Sequence, residues 1–302
     1  MTALVASSGG FSWNLFSDLH EQLSYQFMRN AYLAGGVVAL VGGIVGYFVL
    51  LRRSAFAAHA LSHIGFAGAA GAVALDVNPL YGLLAFCLTA GAVIGGLGQR
   101  LRDRDTVIGI VLAFSLGLGA LFLSLYQGND ANEATSILFG QILGISNSDV
   151  VLTAAIGAVT LALVAVMYRP LLFASVDEDV ARARGVPVGA LSVAFMMTVA
   201  LAVAIAVQVV GVLLIFALLV APPAVAERLT PSPGRAMAVG AAVGLLSVWV
   251  GLFVGYWFAY PVSFFITTIA FGIYVAVRVT QYLLARRSLT GAKTTPLTGT
   301  PA

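Results

Sequence analysis

Apolar residues fill this chain in blocks of about twenty, the length a helix needs to cross the hydrocarbon core of a bilayer. Short polar stretches separate the blocks. They predict spans at 31–51, 54–75, 80–98, 106–126, 150–168, 190–209, 211–228, 236–256 and 262–284. The sixth and seventh form one unbroken apolar run, too long for a single crossing, and Gly211 divides it. The pattern predicts an all-α, polytopic membrane bundle of about nine helices, or eight if that run is one bent helix. Residues 31–287 make up the membrane domain. Ahead of it lie residues 1–30, and the stretch FSWNLFSDLHEQLSYQFMRNAY (residues 11–32) mixes apolar and polar residues at helical spacing. That segment reads as a helix on the outer membrane surface or as a plain lead-in. Residues 288–302, rich in Thr, Pro and Gly, read as a disordered cytosolic tail.

Charge orients the bundle. Only 9% of residues are charged and 60% are hydrophobic, whereas soluble domains carry roughly 25% charged residues. Arg52 and Arg53 follow the first span, and Arg100, Arg102 and Arg104 the third. Arg169, Arg182 and Arg184 lie between the fifth and sixth, Arg228 and Arg235 between the seventh and eighth, and Arg286 and Arg287 after the ninth. The alternate loops LDVNPLY, YQGNDANEATS and YWFAYPVS contain no Lys or Arg. The positive-inside rule puts the basic loops in the cytosol, with the N-terminus outside and the C-terminus inside. This alternation needs nine crossings. The expected location is the plasma (inner) membrane, multi-pass.

The segment YRPLLFASVDEDVARARGVPVGAL is the longest ordered-looking cytosolic connection. Ser175 and Glu178 have capping-box spacing, so a helix is expected to begin there. Asp177, Glu178 and Asp179 fill its first turn, where they suit the helix dipole. Arg182 and Arg184 lie at its other end, Gly185 suits a left-handed stop, and Pro187 prevents continuation. So well marked a helix between two spans reads as a docking knob for a cytosolic partner; an ordinary interfacial connector is the plainer reading.

Two of the three histidines, His59 and His63, sit in the second span within AFAAHALSHIGFAGAAG. Spaced i and i+4, they share one helix face, in what the arginines mark as the cytosolic half of the membrane. Ionisable residues inside a membrane mark substrate or ion pathways, and paired imidazoles on one face can ligate a transition metal. Hydrogen bonding to a neighbouring helix is the structural alternative. Glu227, after Pro222 and Pro223 near the end of the seventh span, is a third candidate ligand that would make a mixed N/O site. Its proximity to Arg228 equally suits a terminal charge among headgroups.

Several chemistries are excluded. The one cysteine, Cys87, precludes an internal disulfide or a Cys-based zinc site. The one lysine, Lys293, lies in TGAKTT, which lacks the first glycine of a phosphate-binding loop, so ATP is not bound by that route. Three function classes stay open: a permease driven by a separate ATPase, a proton-coupled secondary transporter using the histidines, and an intramembrane metal-dependent hydrolase. The second predicts paired broken helices, but the double proline occurs once. The third lacks a general base between the histidines.

The stretches VLLRRSAFAAHALSHIGFAG, LDVNPLYG, DTVIGIVLAFSLGLGALFLSL, SILFGQILGIS, YRPLLFASVDEDVARARGVPV and QVVGVLLIFALLVAPPAVAERL, taken in order, resemble the membrane permease of ABC-type metal-uptake systems. The likeness spans most of residues 27–280. It implies a homodimer of lipid-embedded permeases, cytosolic ATPase subunits, an external solute-binding protein and a transported divalent metal (zinc, manganese or iron(II)). It implies no catalytic residue, no bound cofactor and no nucleic-acid partner. It also implies that 175–187 is the ATPase-coupling loop. The family pattern at the histidine pair is Asp, three residues, then His. His63 matches, and His59 stands where Asp is usual. Imidazole suits zinc and carboxylate suits manganese, so the substitution leans toward zinc. Glu227 matches no family ligand.

Overall fold

The computed structural model describes residues 15–97, 104–125, 140, 142–258 and 260–292. The expectations on residues 1–14, on Arg100 and Arg102, on most of the loop after the fourth span and on 293–302 lie outside them. The elements in order are α1 (Leu15–Ser24), α2 (Gln26–Leu51), α3 (Ala55–Ala74), α4 (Pro79–Gly96), α5 (Arg104–Leu125), α6 (Asn147–Val176), α7 (Glu178–Ala183), α8 (Val188–Val210), α9 (Val212–Leu229), α10 (Pro233–Trp257) and α11 (Val262–Ala292). Among the described residues, eight helices are long and apolar enough to cross a membrane.

Helix α2 is the axis of the bundle, with α6, α8, α9 and α10 around it. Glycines let these helices approach closely. A Cβ on Gly43 would lie 2.5 Å from the Ala241 nitrogen, and one on Gly35 would lie 2.8 Å from Val248, so α2 and α10 run antiparallel. Gly42 faces the Leu218 carbonyl and Gly46 faces Pro223, so α2 and α9 run parallel. On the other side α3 packs on α4 and α5, and α4 packs on α8. Gly68 and Gly82 are in mutual backbone contact at the α3–α4 crossing.

Gly211 does separate the two halves of the long apolar run. Its φ of +86° reverses the chain between α8 and α9, a conformation glycine adopts freely. The turn lies deep. Leu218 is level with Gly42, so at 1.5 Å per residue Gly211 lies about 14 Å inside the N-terminal end of α2. Gly140, also at positive φ, rests directly on the Val210–Gly211 backbone. The Asn30 amide donates to the Ile145 carbonyl at 2.9 Å, holding the following strip to α2. Ser146 and Asp149 form the capping box that starts α6.

Helix α1 is docked on the bundle. Asp18 and Gln22 are buried. Gln22 donates to the Phe253 carbonyl at 3.2 Å and accepts from the Tyr32 hydroxyl at 2.9 Å. At the other end, α11 continues through Ala292, five residues into the stretch expected to be unstructured. No proline occurs there before Pro296 to stop it.

Candidate functional site

The face of α3 carrying the histidines follows from its start. Ser54 precedes the first helical residue, and His59 and His63 then occupy successive turns of one side. Their rings meet edge to face with centroids 4.7 Å apart. Both Nδ1 atoms are buried and without a hydrogen-bond partner. A buried polar atom left unpaired costs free energy; a ligating imidazole ordinarily has a partner on its second nitrogen. Two adjacent ring nitrogens on one helix face are thus left without a protein partner.

A third ring completes the arrangement. Phe216 of α9 stacks edge to face on His59, with centroids 4.9 Å apart. Nothing near either histidine in the sequence marks this partner, which comes from the second turn after Gly211. The contact sets the depth of the site. Phe216 precedes Leu218 by two residues, and Leu218 is level with Gly42, so His59 reaches a level near the middle of α2. That is deeper than its position one turn into α3 suggests.

Glu227 does not join the pair. It is exposed, eleven residues beyond Phe216 on the same helix, about 16 Å along its axis. Among the described residues no group of three or more His, Cys, Asp or Glu side chains is placed to hold a metal ion. Instead, the end of α9 is held by α11: the Gln281 amide donates to the Arg228 carbonyl at 2.7 Å, and the Arg228 guanidinium lies over Tyr274.

The helix expected within 175–187 forms, with one correction. Its N-cap is Asp177, not Ser175. Ser175 belongs to the last turn of α6, where its hydroxyl donates to the Leu171 carbonyl. Asp177 is extended, and its carboxylate accepts from the Val180 N–H at 3.0 Å. Glu178 and Arg182 pair at 3.0 Å, one turn apart. The stop is as expected: Gly185 has φ +86°, its N–H donates to Arg182, and the Val186 N–H donates to Ala181, both at 3.0 Å. These two bonds are the paired closure of a Schellman motif. Pro187 then leads into α8. Ala181 is fully buried and anchors the helix, while Asp177, Asp179, Val180, Arg182, Arg184, Gly185 and Pro187 are exposed.

Residues 24–281 match the family described as the ABC 3 transport family. The "Manganese transport system membrane protein MntC" of Listeria monocytogenes is 31% identical over 241 residues, covering 80% of this chain and 85% of that protein. The "High-affinity zinc uptake system membrane protein ZnuB" of Buchnera aphidicola is 28% identical over 240 residues, covering 79% and 92%. Among solved structures, PsaBC from Streptococcus pneumoniae in complex with Fab is similar with a TM-score of 0.78 and 29% identity, covering 87% of this chain and 95% of that one.

Proposed function

Starting from the chain's membership of the ABC 3 transport family, we propose that it imports zinc in preference to manganese, through a site centred on His59 and His63. At the coarser level it is a multi-pass plasma-membrane permease of an ATP-driven importer for manganese or zinc, and ATP hydrolysis belongs to a separate subunit. That membership sets aside the proton-coupled and hydrolase readings.

The observation that carries the proposal is the pair of buried, unpartnered imidazole nitrogens with rings 4.7 Å apart. Two imidazoles and an apolar ring offer nitrogen donors and no carboxylate, a set that suits zinc better than manganese. A two-ligand site open to further ligands is weak, and a transport site must release what it binds. Glu227 would serve a metal only after a rearrangement, as one ligand on the way out.

The remaining parts of the proposal follow the chain. The basic loops face the cytosol, the exposed surface of 177–187 docks the ATPase, two permeases pair in the membrane, and an external solute-binding protein delivers the metal. Residues 31–287 are the permease domain, with 1–30 outside and the tail in the cytosol.

The test is competitive uptake of zinc, manganese and iron(II) in cells expressing the complete importer. Wild type should favour zinc. His59→Asp should keep transport and move the preference toward manganese by about tenfold, the scale of one good ligand contact. A wild type that favours manganese, or a His59→Asp variant with unchanged preference, would overturn the zinc assignment.

A further inference from the structure

Arg52 and Arg53 read alike in the sequence, as a cytosolic charge pair after α2. In the structure they differ. Arg53 is exposed, at the positive φ of 51° that turns the chain toward α3. Arg52 is 5% exposed. A long cation at the end of a membrane helix ordinarily extends to water, and taking it out of water is costly. Its surroundings explain where it goes. The guanidinium lies over the Phe195 ring at 5.4 Å from the centroid. It also donates to the Ser175 hydroxyl at 3.5 Å, and that hydroxyl donates in turn to the Leu171 carbonyl.

Those two contacts sit on either side of α7. Ser175 lies two residues before Asp177, in the last turn of α6. Phe195 is the eighth residue of α8, which begins directly after Pro187. Thus one side chain touches both struts from which the helix hangs. Its backbone is equally well connected. Arg52 caps α2, the Ser54 hydroxyl donates to the Arg52 carbonyl at 3.1 Å, and α3 begins at Ala55, four residues before His59. The turn from Arg52 to α3 contains only two residues, one of them in a restricted left-handed conformation, so it has little slack.

We propose that Arg52 is the positioning residue that passes displacement of α7 to the base of α3 and so to the histidine pair. The proposal rests on the reading of 175–187 as the coupling segment. Movement of α7 shifts Ser175 and Phe195 together. The guanidinium, which lies over the Phe195 ring and donates to the Ser175 hydroxyl, follows both, and the short turn carries the shift into α3. Lysine would keep the charge but lacks the broad, multi-donor guanidinium that can meet a ring and a hydroxyl at once, so it is not an equivalent.

The experiment uses the complete importer in proteoliposomes, reading zinc uptake and ATP hydrolysis together, with zinc binding to the detergent-solubilised complex as a third measurement. Arg52→Gln should lower uptake about tenfold while hydrolysis stays within about twofold, the range of measured coupling effects, and zinc binding should be unchanged. Arg52→Lys should restore little of the loss. Equal falls in uptake and hydrolysis, or no fall in either, would overturn the proposal. If Arg52→Gln does not assemble, Ser175→Ala and Phe195→Leu each remove one contact and keep the arginine. Both should lower the ratio of uptake to hydrolysis in the same direction, and a wild-type ratio in both overturns the relay. Gly185→Val separates the two layers of the argument. If it leaves ATPase association and uptake intact, the coupling-segment reading fails. If it loses association while Arg52→Gln keeps a wild-type ratio, the relay alone fails.

Discussion

The six-residue helix α7 and the histidine pair of α3 are specified in opposite ways. The bonds that start and stop α7 come from within a dozen residues: the Asp177 cap, the Glu178–Arg182 pair and the two closing bonds around Gly185. It presents its charges outward and is anchored by one buried methyl, Ala181. The histidine pair has almost no local definition, since its helix is Ala- and Gly-rich and largely buried on all sides. What makes it distinctive is Phe216, more than 150 residues away in sequence, and the lack of partners for two nitrogens. An element proposed to dock can be written in a short stretch of sequence because its other half would be another molecule. A site inside the membrane is defined by what the rest of the chain places, or fails to place, beside it.

That contrast predicts different sensitivities. The largest effect belongs to His63→Ala, which should cut zinc uptake by at least about 100-fold, beyond the loss typical of a group that merely supports a ligand, with ATPase association intact. Uptake at the wild-type rate would make the pair structural. Next comes Gly185→Val. The space around Gly185 is open, so the cost is that of the left-handed backbone alone, about 1–3 kcal/mol. Co-purification of the ATPase and uptake should both fall. Gly185→Asn should recover most of the loss, because asparagine tolerates this conformation; equal defects in the two variants would point away from backbone strain. Phe216→Leu should be milder, weakening zinc binding only a few-fold through loss of the ring contact, worth about 0.5–1.5 kcal/mol. It should leave ATPase association untouched, which a titration against the purified complex would check. Smallest is Asp177→Ala, costing about 1 kcal/mol of helix capping, seen as faster hydrogen exchange at Val180.

Most of the architecture was legible in the sequence because hydropathy acts over windows of about twenty residues and does not need tertiary detail. The break at Gly211 and the stop at Gly185 were readable for a related reason: each is a glycine where the backbone must take a positive φ. Ser175 misled because serine caps helices but also bonds back within them, and only the extended Asp177 decides between the two. Burial was not readable either. Helices α3 and α5 are both apolar, yet 78% of the α3 window is buried against 17% for α5. The depth of the α8–α9 turn, the Phe216 contact and the inward fold of Arg52 depend on long-range packing, for which local pattern carries no signal.

Cys87 adds a practical consequence. It is the chain's one cysteine and is completely enclosed. Its thiol donates to the Leu61 carbonyl at 3.4 Å, on the turn of α3 between the two histidines, and it lies so close to Gly65 that a Cβ there would be 2.6 Å from the sulfur. The unmodified protein thus carries its own chemical tag at the seam between α3 and α4. Maleimide reagents should find it silent while that seam is shut. Any state of the transport cycle that separates the two helices should announce itself as labelling at a single position, with no engineered residue to perturb what is being watched.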